Sequence, residues 1–299
     1  MQKISPFLWY DKQAEDAAKF YTAVFKNSKM ESVTKYNEAS GNASGMKPGS
    51  VMTASFEIEG YNFTAINGGP VFKINPSISF FVNTKDEKEV DDLWAKFSDG
   101  GKVLMELNRY DWSKKYGWVE DKFGISWQLM LIENDVEQKI VPSFLFTGNV
   151  FGKANEAINY YTSVFKNAKV DNIYKYGPEA LPDNPEALMY ADFTLEGNKF
   201  AAMDGAGDHD FQFNEAISFV VNCEDQKEID HFWNKLSEGG DPKAQMCGWL
   251  KDKYGVSWQI VPAILPKLLS DGKKSKKVME QVLQMKKLDI KKLEEAYNA

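Results

Sequence analysis

The chain has 299 residues, 43% hydrophobic and 14% aromatic, enough for two ordinary domains with full cores. A net charge of −7 argues against a nucleic-acid or membrane-surface binder; it reads first as solubility, second as a cup attracting cationic ligands. Two cysteines, Cys223 and Cys247, stand in no CxxC pattern and fit a reducing, cytoplasmic setting. No signal-peptide core opens the sequence, and no stretch nears the ~18 consecutive apolar residues of a membrane span.

In chain order, Phe7-Leu8-Trp9-Tyr10 is a buried-strand candidate. Residues 14–26 put Ala17, Phe20, Tyr21, Val24 and Phe25 on one helical face. Residues 30–36 read as a strand, and the Gly-, Ser- and Asn-rich residues 37–50 as a mobile loop. Residues 51–58 and 63–66 form a hairpin across Gly60-Tyr61. Asn67-Gly68-Gly69-Pro70 then breaks the chain, and the same order restarts. Residues 78–82 are a strand, and Thr84 with Glu87 reads as a capping box. Val90, Leu93, Trp94 and Phe97 are the buried face of the helix it opens, which Gly100-Gly101 stops. Residues 102–107, 116–120 and 125–131 supply three strands. The expected fold is α+β, built of strand-helix-three-strand (βαβββ) modules.

The stretch Gly117-Trp118-Val119-Glu120-Asp121-Lys122-Phe123-Gly124-Ile125-Ser126-Trp127-Gln128 recurs as Gly248-Trp249-Leu250-Lys251-Asp252-Lys253-Tyr254-Gly255-Val256-Ser257-Trp258-Gln259. The chain is therefore an internal duplication, and each copy reads as strand, tight turn, strand. Charged residues 133–139 form a linker. Phe144-Leu145-Phe146 answers Phe7-Leu8-Trp9, and residues 160–167 answer 20–27. The second repeat is shorter before Gly248, so one edge strand or loop is trimmed there. Two domains, 1–135 and 140–262, and a helical tail, 263–299, are expected. In the tail, residues 275–285 align Val278, Val282 and Met285 on one side; Asp289 caps a second helix between Leu288 and Leu293. Its inner face docks on the sheets or on a second subunit.

Phe7-Leu8-Trp9-Tyr10 with Ala17-Ala18-Lys19-Phe20-Tyr21, Lys47-Pro48-Gly49-Ser50-Val51-Met52-Thr53, Phe63-Thr64-Ala65-Ile66-Asn67-Gly68-Gly69-Pro70 and Cys247-Gly248-Trp249 resembles the PhnB-like branch of the vicinal oxygen chelate (glyoxalase/bleomycin-resistance/dioxygenase) superfamily. That branch is also labelled 3-demethylubiquinone-9 3-methyltransferase-like. The resemblance implies four βαβββ modules, two per domain, curved around cups. No Gly-rich loop after a parallel strand holds a methyl-donor cofactor here, so the label is not carried over as chemistry.

Superfamily enzymes hold a divalent ion with inward His, Glu or Gln. The resemblance sets the strand histidine on Ser77 and Ala216, and the late glutamate at or near Gln128 and Gln259. One Gln per cup does not hold an ion. His209 and His231, the two histidines, read as a loop residue and as a surface or packing residue on a helix. No metal and no cofactor are expected.

Aromatic side chains should wall the cups: Trp9, Phe72 and Trp118 in the first repeat, Phe146, Phe211 and Trp249 in the second, each with core packing as the plainer reading. Asn67 and Gly68 end an apolar strand where a cup mouth would lie; their backbone amides suit an anion or a carbonyl, or make a plain turn. Asp204 holds that place in the second repeat. Arg109, the only arginine, is a clamp for a carboxylate or phosphate, or, as the plainer reading, a surface salt-bridge residue. Trp112 and Tyr116 match a Trp-Gly-x-x-Phe-Gly stretch of PhnB-like proteins, with Ser113 replacing its first glycine. Cys247 has no histidine near it in sequence and reads as a buried thiol.

Three functions stay open: a metal-free binder of a small, partly apolar molecule; an enzyme acting on a small carbonyl or aromatic compound; or a second repeat that serves as scaffold. The partners expected are a small-molecule ligand and a homodimer or intrachain pseudo-dimer, not nucleic acid or membrane.

Overall fold

The apolar alternation of residues 4–10 becomes β1 (Ile4–Tyr10), buried and half-buried in strict turn, so one face lies under a helix and the other does not. The computed structural model describes residues 2–180, 184–272 and 274–299. The first module continues with α1 (Ala14–Val24), β2 (Ser28–Lys35), α2 (Glu38–Ser44), β3 (Val51–Ile58) and β4 (Tyr61–Asn67). The second is β5 (Ile78–Thr84), α3 (Glu87–Ser98), β6 (Lys102–Tyr110), β7 (Ser113–Glu120) and β8 (Ser126–Leu131). The third is β9 (Ile140–Phe146), α4 (Ala154–Val164), β10 (Lys169–Lys175), β11 (Leu188–Leu195) and β12 (Asn198–Asp204). The fourth is β13 (Ile217–Cys223), α5 (Gln226–Leu236), β14 (Trp249–Lys251) and β15 (Ser257–Pro262). The tail is α6 (Leu265–Ser270), α7 (Ser275–Val282) and α8 (Ile290–Asn298). The fold is α+β, with two curved mixed sheets.

The duplicated turn is held by its aspartate. Asp121 Oδ1 accepts from the backbone N–H groups of Phe123 (2.8 Å) and Ile125 (3.1 Å), and Oδ2 from the Trp127 indole (2.8 Å). Asp252 does the same for Tyr254, Val256 and Trp258 at 2.9, 3.0 and 2.9 Å. Gly124 and Gly255 take the left-handed backbone that closes each turn.

The sheets do not follow the sequence repeats. β1 pairs antiparallel with β13, Phe7 opposite Ser218, so the first module shares a seven-stranded sheet with the fourth. β5 pairs antiparallel with β9, Ser79 opposite Ser143, so the second shares an eight-stranded sheet with the third. The compact units are accordingly interleaved along the chain, unlike the expected domains 1–135 and 140–262. One holds the chain up to Ala23 with Asn27–Lys73 and Asn214–Ala299; the other holds Ile74–Phe213 with Val24–Lys26. Every module opens with an apolar strand, so local pattern does not say which first strands pair.

Register corrects a second expectation. Tyr10 pairs with Asn67 and Phe146 with Asp204, so Leu145, not Phe146, answers Trp9. A one-residue offset turns a strand side chain to the other face. Phe146 is fully buried and packs edge-on against Phe213 at 5.0 Å.

Residues 37–50 contain a helix rather than only a loop. Asn37 and Ser40 form a reciprocal capping box at the start of α2, and Gly45 ends it in the left-handed conformation. The N-cap of α3 is Asp86, whose carboxylate accepts from Lys88 and Glu89, and not Thr84. Thr84 instead donates its hydroxyl to Glu89 at 2.6 Å. Residues 108–115, unassigned from sequence, continue β6 into β7 through a tight hairpin, with Tyr110 opposite Ser113.

The trimmed element before Gly248 is the strand that would answer β6. The tail stands in its place: Met285 and Lys286 carbonyls accept from the backbone N–H groups of Cys247 (2.7 Å) and Gly248 (2.8 Å). Val278, Val282, Met285, Leu288 and Leu293 form one buried cluster with Leu268. Asp289 caps α8 through the Lys292 N–H. The inner face of the tail thus docks within its own unit.

Candidate ligand-binding faces

On the helix-free face of the eight-stranded sheet, strand register lines up Ser126, Ser79, Ser143 and Ala201 as a floor of small residues. A hydrogen-bonded chain runs beside it. The Tyr116 hydroxyl donates to Gln128 Oε1 (2.5 Å), and Gln128 Nε2 donates to Ser79 Oγ (2.8 Å). Trp118 Nε1 donates to Ser126 Oγ at 2.5 Å. Burial, with Tyr110 nearby, pushes the Tyr116 phenol well above its ordinary range. Ser143 is fully buried, and its Oγ has no hydrogen-bond partner among the described residues. Phe81, Tyr116, Val141 and Ala201 make an apolar cluster above this floor, flanked by half-buried Trp118, Tyr190 and three methionines, Met105, Met130 and Met203. Phe81 and Tyr190 meet edge-on at 6.0 Å.

The corresponding face of the seven-stranded sheet carries a different set. Trp9 donates its indole N–H to Gly69 O at 2.8 Å and lies against the Gly68 backbone, where an added Cβ would come 2.2 Å from the ring. Phe72 and Trp249 stand edge-on to Trp9 at 5.1 and 6.2 Å, and Phe7 edge-on to Trp249 at 5.6 Å. Gln259 Nε2 donates to Ser218 Oγ at 3.0 Å, repeating the Gln128–Ser79 bond.

The family model described as 3-demethylubiquinone-9 3-methyltransferase matches residues 2–130 and again 138–261. The chain belongs to that family. A PhnB protein from Bacillus cereus is 38% identical over 44% of this chain and 100% of its own, with a TM-score of 0.40. A Staphylococcus aureus protein is 34% identical over 44% of this chain and 98% of its own, with a TM-score of 0.19. Glyoxalase I from Zea mays, 14% identical, aligns over 90% of this chain and 97% of its own with a TM-score of 0.55, a likeness of fold. Among curated proteins none matches. No helix among the described residues is long and apolar enough to cross a membrane.

In this PhnB-like chain the expected cup walls are regrouped. Trp9 and Phe72 sit with Trp249, while Trp118 sits with Tyr116 and Gln128 on the other sheet. Phe146 lines neither face, and Phe211 packs on His209 at 5.1 Å. Asn67 and Asp204 are buried clamps, not ligand groups. Asn67 Oδ1 accepts from Ala14 N and its Nδ2 donates to Val51 O. Asp204 accepts from the N–H groups of Gly152, Ala154 and Leu188, and burial raises its pKa despite those bonds. The Gly68 and Gly69 amides donate to the Tyr10 and Asp11 carbonyls, so they do not form an anion site. Gly68 is a seat for Trp9.

Arg109 is exposed, and its guanidinium makes no ion pair among the described residues, so the surface salt bridge is not formed. Trp112 is 59% exposed and stacks on Tyr110 at 5.0 Å. Cys247 packs against the tail cluster, and burial pushes its thiol up, away from nucleophile chemistry. A cleft of about 450 Å3 lies beside Asn67. Its lining mixes Lys12 and Lys47 with Glu15 and Asp16, so neither sign of charge is favoured.

The divalent ion of superfamily enzymes does not fit the groups present. No three His, Cys, Asp or Glu side chains converge among the described residues. Gln128 spends both ends of its amide on Tyr116 and Ser79, and every polar group of the floor is neutral. The floor serines are not among the residues expected from sequence. Ser79 and Ser126 have a signal, since Ile-Ser-Phe and Ser-Trp-Gln occur in both repeats, whereas Ser143 lies in neither motif.

Proposed function

We propose that the protein binds a small, partly apolar molecule on the helix-free face of the eight-stranded sheet, with no metal ion as anchor. Ser143 carries this reading. Its neighbours satisfy one another through the Tyr116–Gln128–Ser79 chain, while its own hydroxyl is buried without a partner among the described residues. Such a group costs about 1–3 kcal/mol, which a ligand carbonyl or hydroxyl offsets. The half-buried methionines provide a wall that adapts to ligand shape. Free thiols at Cys223 and Cys247 support a cytoplasmic setting, and the net charge of −7 speaks against nucleic acid or membrane as partner.

Native mass spectrometry of protein purified from cells tests the reading. Wild type should carry a copurified small molecule, and Ser143→Ala, which removes only the hydroxyl, should carry at least tenfold less. Adding that molecule back should change Trp118 emission. If both Ser143→Ala and Trp118→Phe retain the molecule fully, the site lies elsewhere.

The pseudo-dimer reading also has support. Each sheet joins a module of the first repeat to one of the second. The second repeat then completes both sheets, whatever it binds.

A further inference from the structure

We propose that the helix-free face of the seven-stranded sheet is a second site, for a polyhydroxylated ring of the sugar class, opened when Trp249 turns its indole N–H onto Ser257. It goes beyond the reading for the other sheet and does not depend on it.

The duplication supplies an internal standard. Trp118 pairs with Gln128 across β7–β8, and Trp249 pairs with Gln259 across β14–β15. Ser126 and Ser257 stand two positions before these glutamines, on the same face. The floor bonds Gln128–Ser79 and Gln259–Ser218 are alike, at 2.8 and 3.0 Å. Only the tryptophan differs. Trp118 donates to Ser126 Oγ at 2.5 Å. The Trp249 indole N–H has no hydrogen-bond partner among the described residues, and Ser257 Oγ, on a residue 1% exposed, has none either. A donor and a buried acceptor are both left idle, at positions where the sister pair is bonded.

Trp249 stands instead perpendicular to Trp9 (81°) and to Phe7 (89°). Trp9 is fixed from behind by Gly69 O and the Gly68 backbone, so it stays in place when Trp249 turns away. The turn frees ring surface on Trp9.

What surrounds that surface sets the ligand class. Register places Thr64 and Ser55 in line with Phe7, and, beyond Ile66, Thr53 and Thr34 in line with Trp9, all on the same face. Their hydroxyls meet in pairs, Ser55 with Thr64 at 3.2 Å and Thr34 with Thr53 at 2.6 Å. A sugar ring has C–H groups on one face and hydroxyls around its rim. The C–H face suits the indole, and the rim suits this row, since each serine or threonine hydroxyl has lone pairs to spare. A flat unsubstituted aromatic would use the ring and leave the hydroxyl row unused.

The test is titration of the full-length protein, carrying 15N-labelled indoles, with the methyl pyranosides of glucose, galactose and mannose, and separately with quinoline. At least one pyranoside should saturate the protein, and the Trp249 indole N–H signal should move downfield as it gains an acceptor. Ser257→Ala should weaken that pyranoside about tenfold, and Trp9→Ala should abolish its binding. The proposal is overturned if no pyranoside binds, if quinoline alone binds, or if a pyranoside binds with the Trp249 signal unmoved. The wild-type spectra decide even where a variant folds poorly. The readout belongs to Trp9 and Trp249, so loss of the Ser143 site leaves it intact.

Discussion

The Asp121 carboxylate receives the indole N–H of Trp127 at 2.8 Å, and both residues are almost wholly buried. With its other oxygen on two backbone amides, the aspartate ties the turn to the core ring that stacks on Phe97 at 5.0 Å. Asp121→Ala leaves three donors unpaired, two of them in buried bonds. It should cost about 3 kcal/mol in urea unfolding. Asp252→Ala should cost a similar amount, because the same three bonds recur there.

Asn67 and Asp204 occupy matching places but are not interchangeable. Asn67 Nδ2 donates to the Val51 carbonyl, whereas Asp204 Oδ2 accepts from the Leu188 N–H. Asp204→Asn sets an NH2 donor against either the Leu188 N–H or the Gly152 and Ala154 N–H groups, and Asn67→Asp sets an oxygen against a carbonyl. Each should lose about 2 kcal/mol by chemical denaturation, and the double exchange should not recover it. Full stability in either single variant would mean that the clamp geometry is loose.

Gly68→Ala puts a methyl group 2.2 Å from Trp9 Cε2 and Cζ2, far inside contact distance. The indole must leave Gly69 O. A loss of about 1–3 kcal/mol is expected, with a shift of tryptophan emission, because overpacking is not relieved by a rigid ring. An unchanged emission spectrum would show that Trp9 is not seated on this glycine.

Sequence pattern carried the architecture as far as local rules reach. The duplicated Asp-Lys-aromatic-Gly turn, the helix faces and the tail cap at Asp289 were all legible, since each depends on neighbours a few residues apart. Sheet composition was not, because the first strands of all four modules read alike. Helix α2 was hidden because its Gly, Ser and Asn are poor helix formers, and reciprocal capping by Asn37 and Ser40 outweighs that. On the candidate faces, aromatic residues drew notice and serines did not. A one-residue slip looks the same in an all-apolar run, and it puts Phe146 on a wall where register puts Leu145.

Asp171 gives a pH signature. Burial raises its pKa, but hydrogen bonds from Lys169, Lys199 and Thr194 outweigh this and hold the carboxyl at about 2. The folded value lies below the unfolded one, so this stabilisation is present above about pH 4 and is lost as pH falls towards 2. Asp171→Asn should cost about 1 kcal/mol at neutral pH. The gap from wild type, followed by urea titration between pH 6 and pH 2.5, should narrow on the acid side.

The crossed composition of the sheets bears on what half a chain can do. Severing the backbone within residues 133–139 leaves β1 parted from β13 and β5 from β9, so each fragment carries two bare central edges. Such halves have two escapes, clasping each other or clasping a twin of themselves. Fusion into one polypeptide favours the first by holding the complementary edges at high local concentration, and lets the two repeats drift apart in detail, as Trp118 and Trp249 have done.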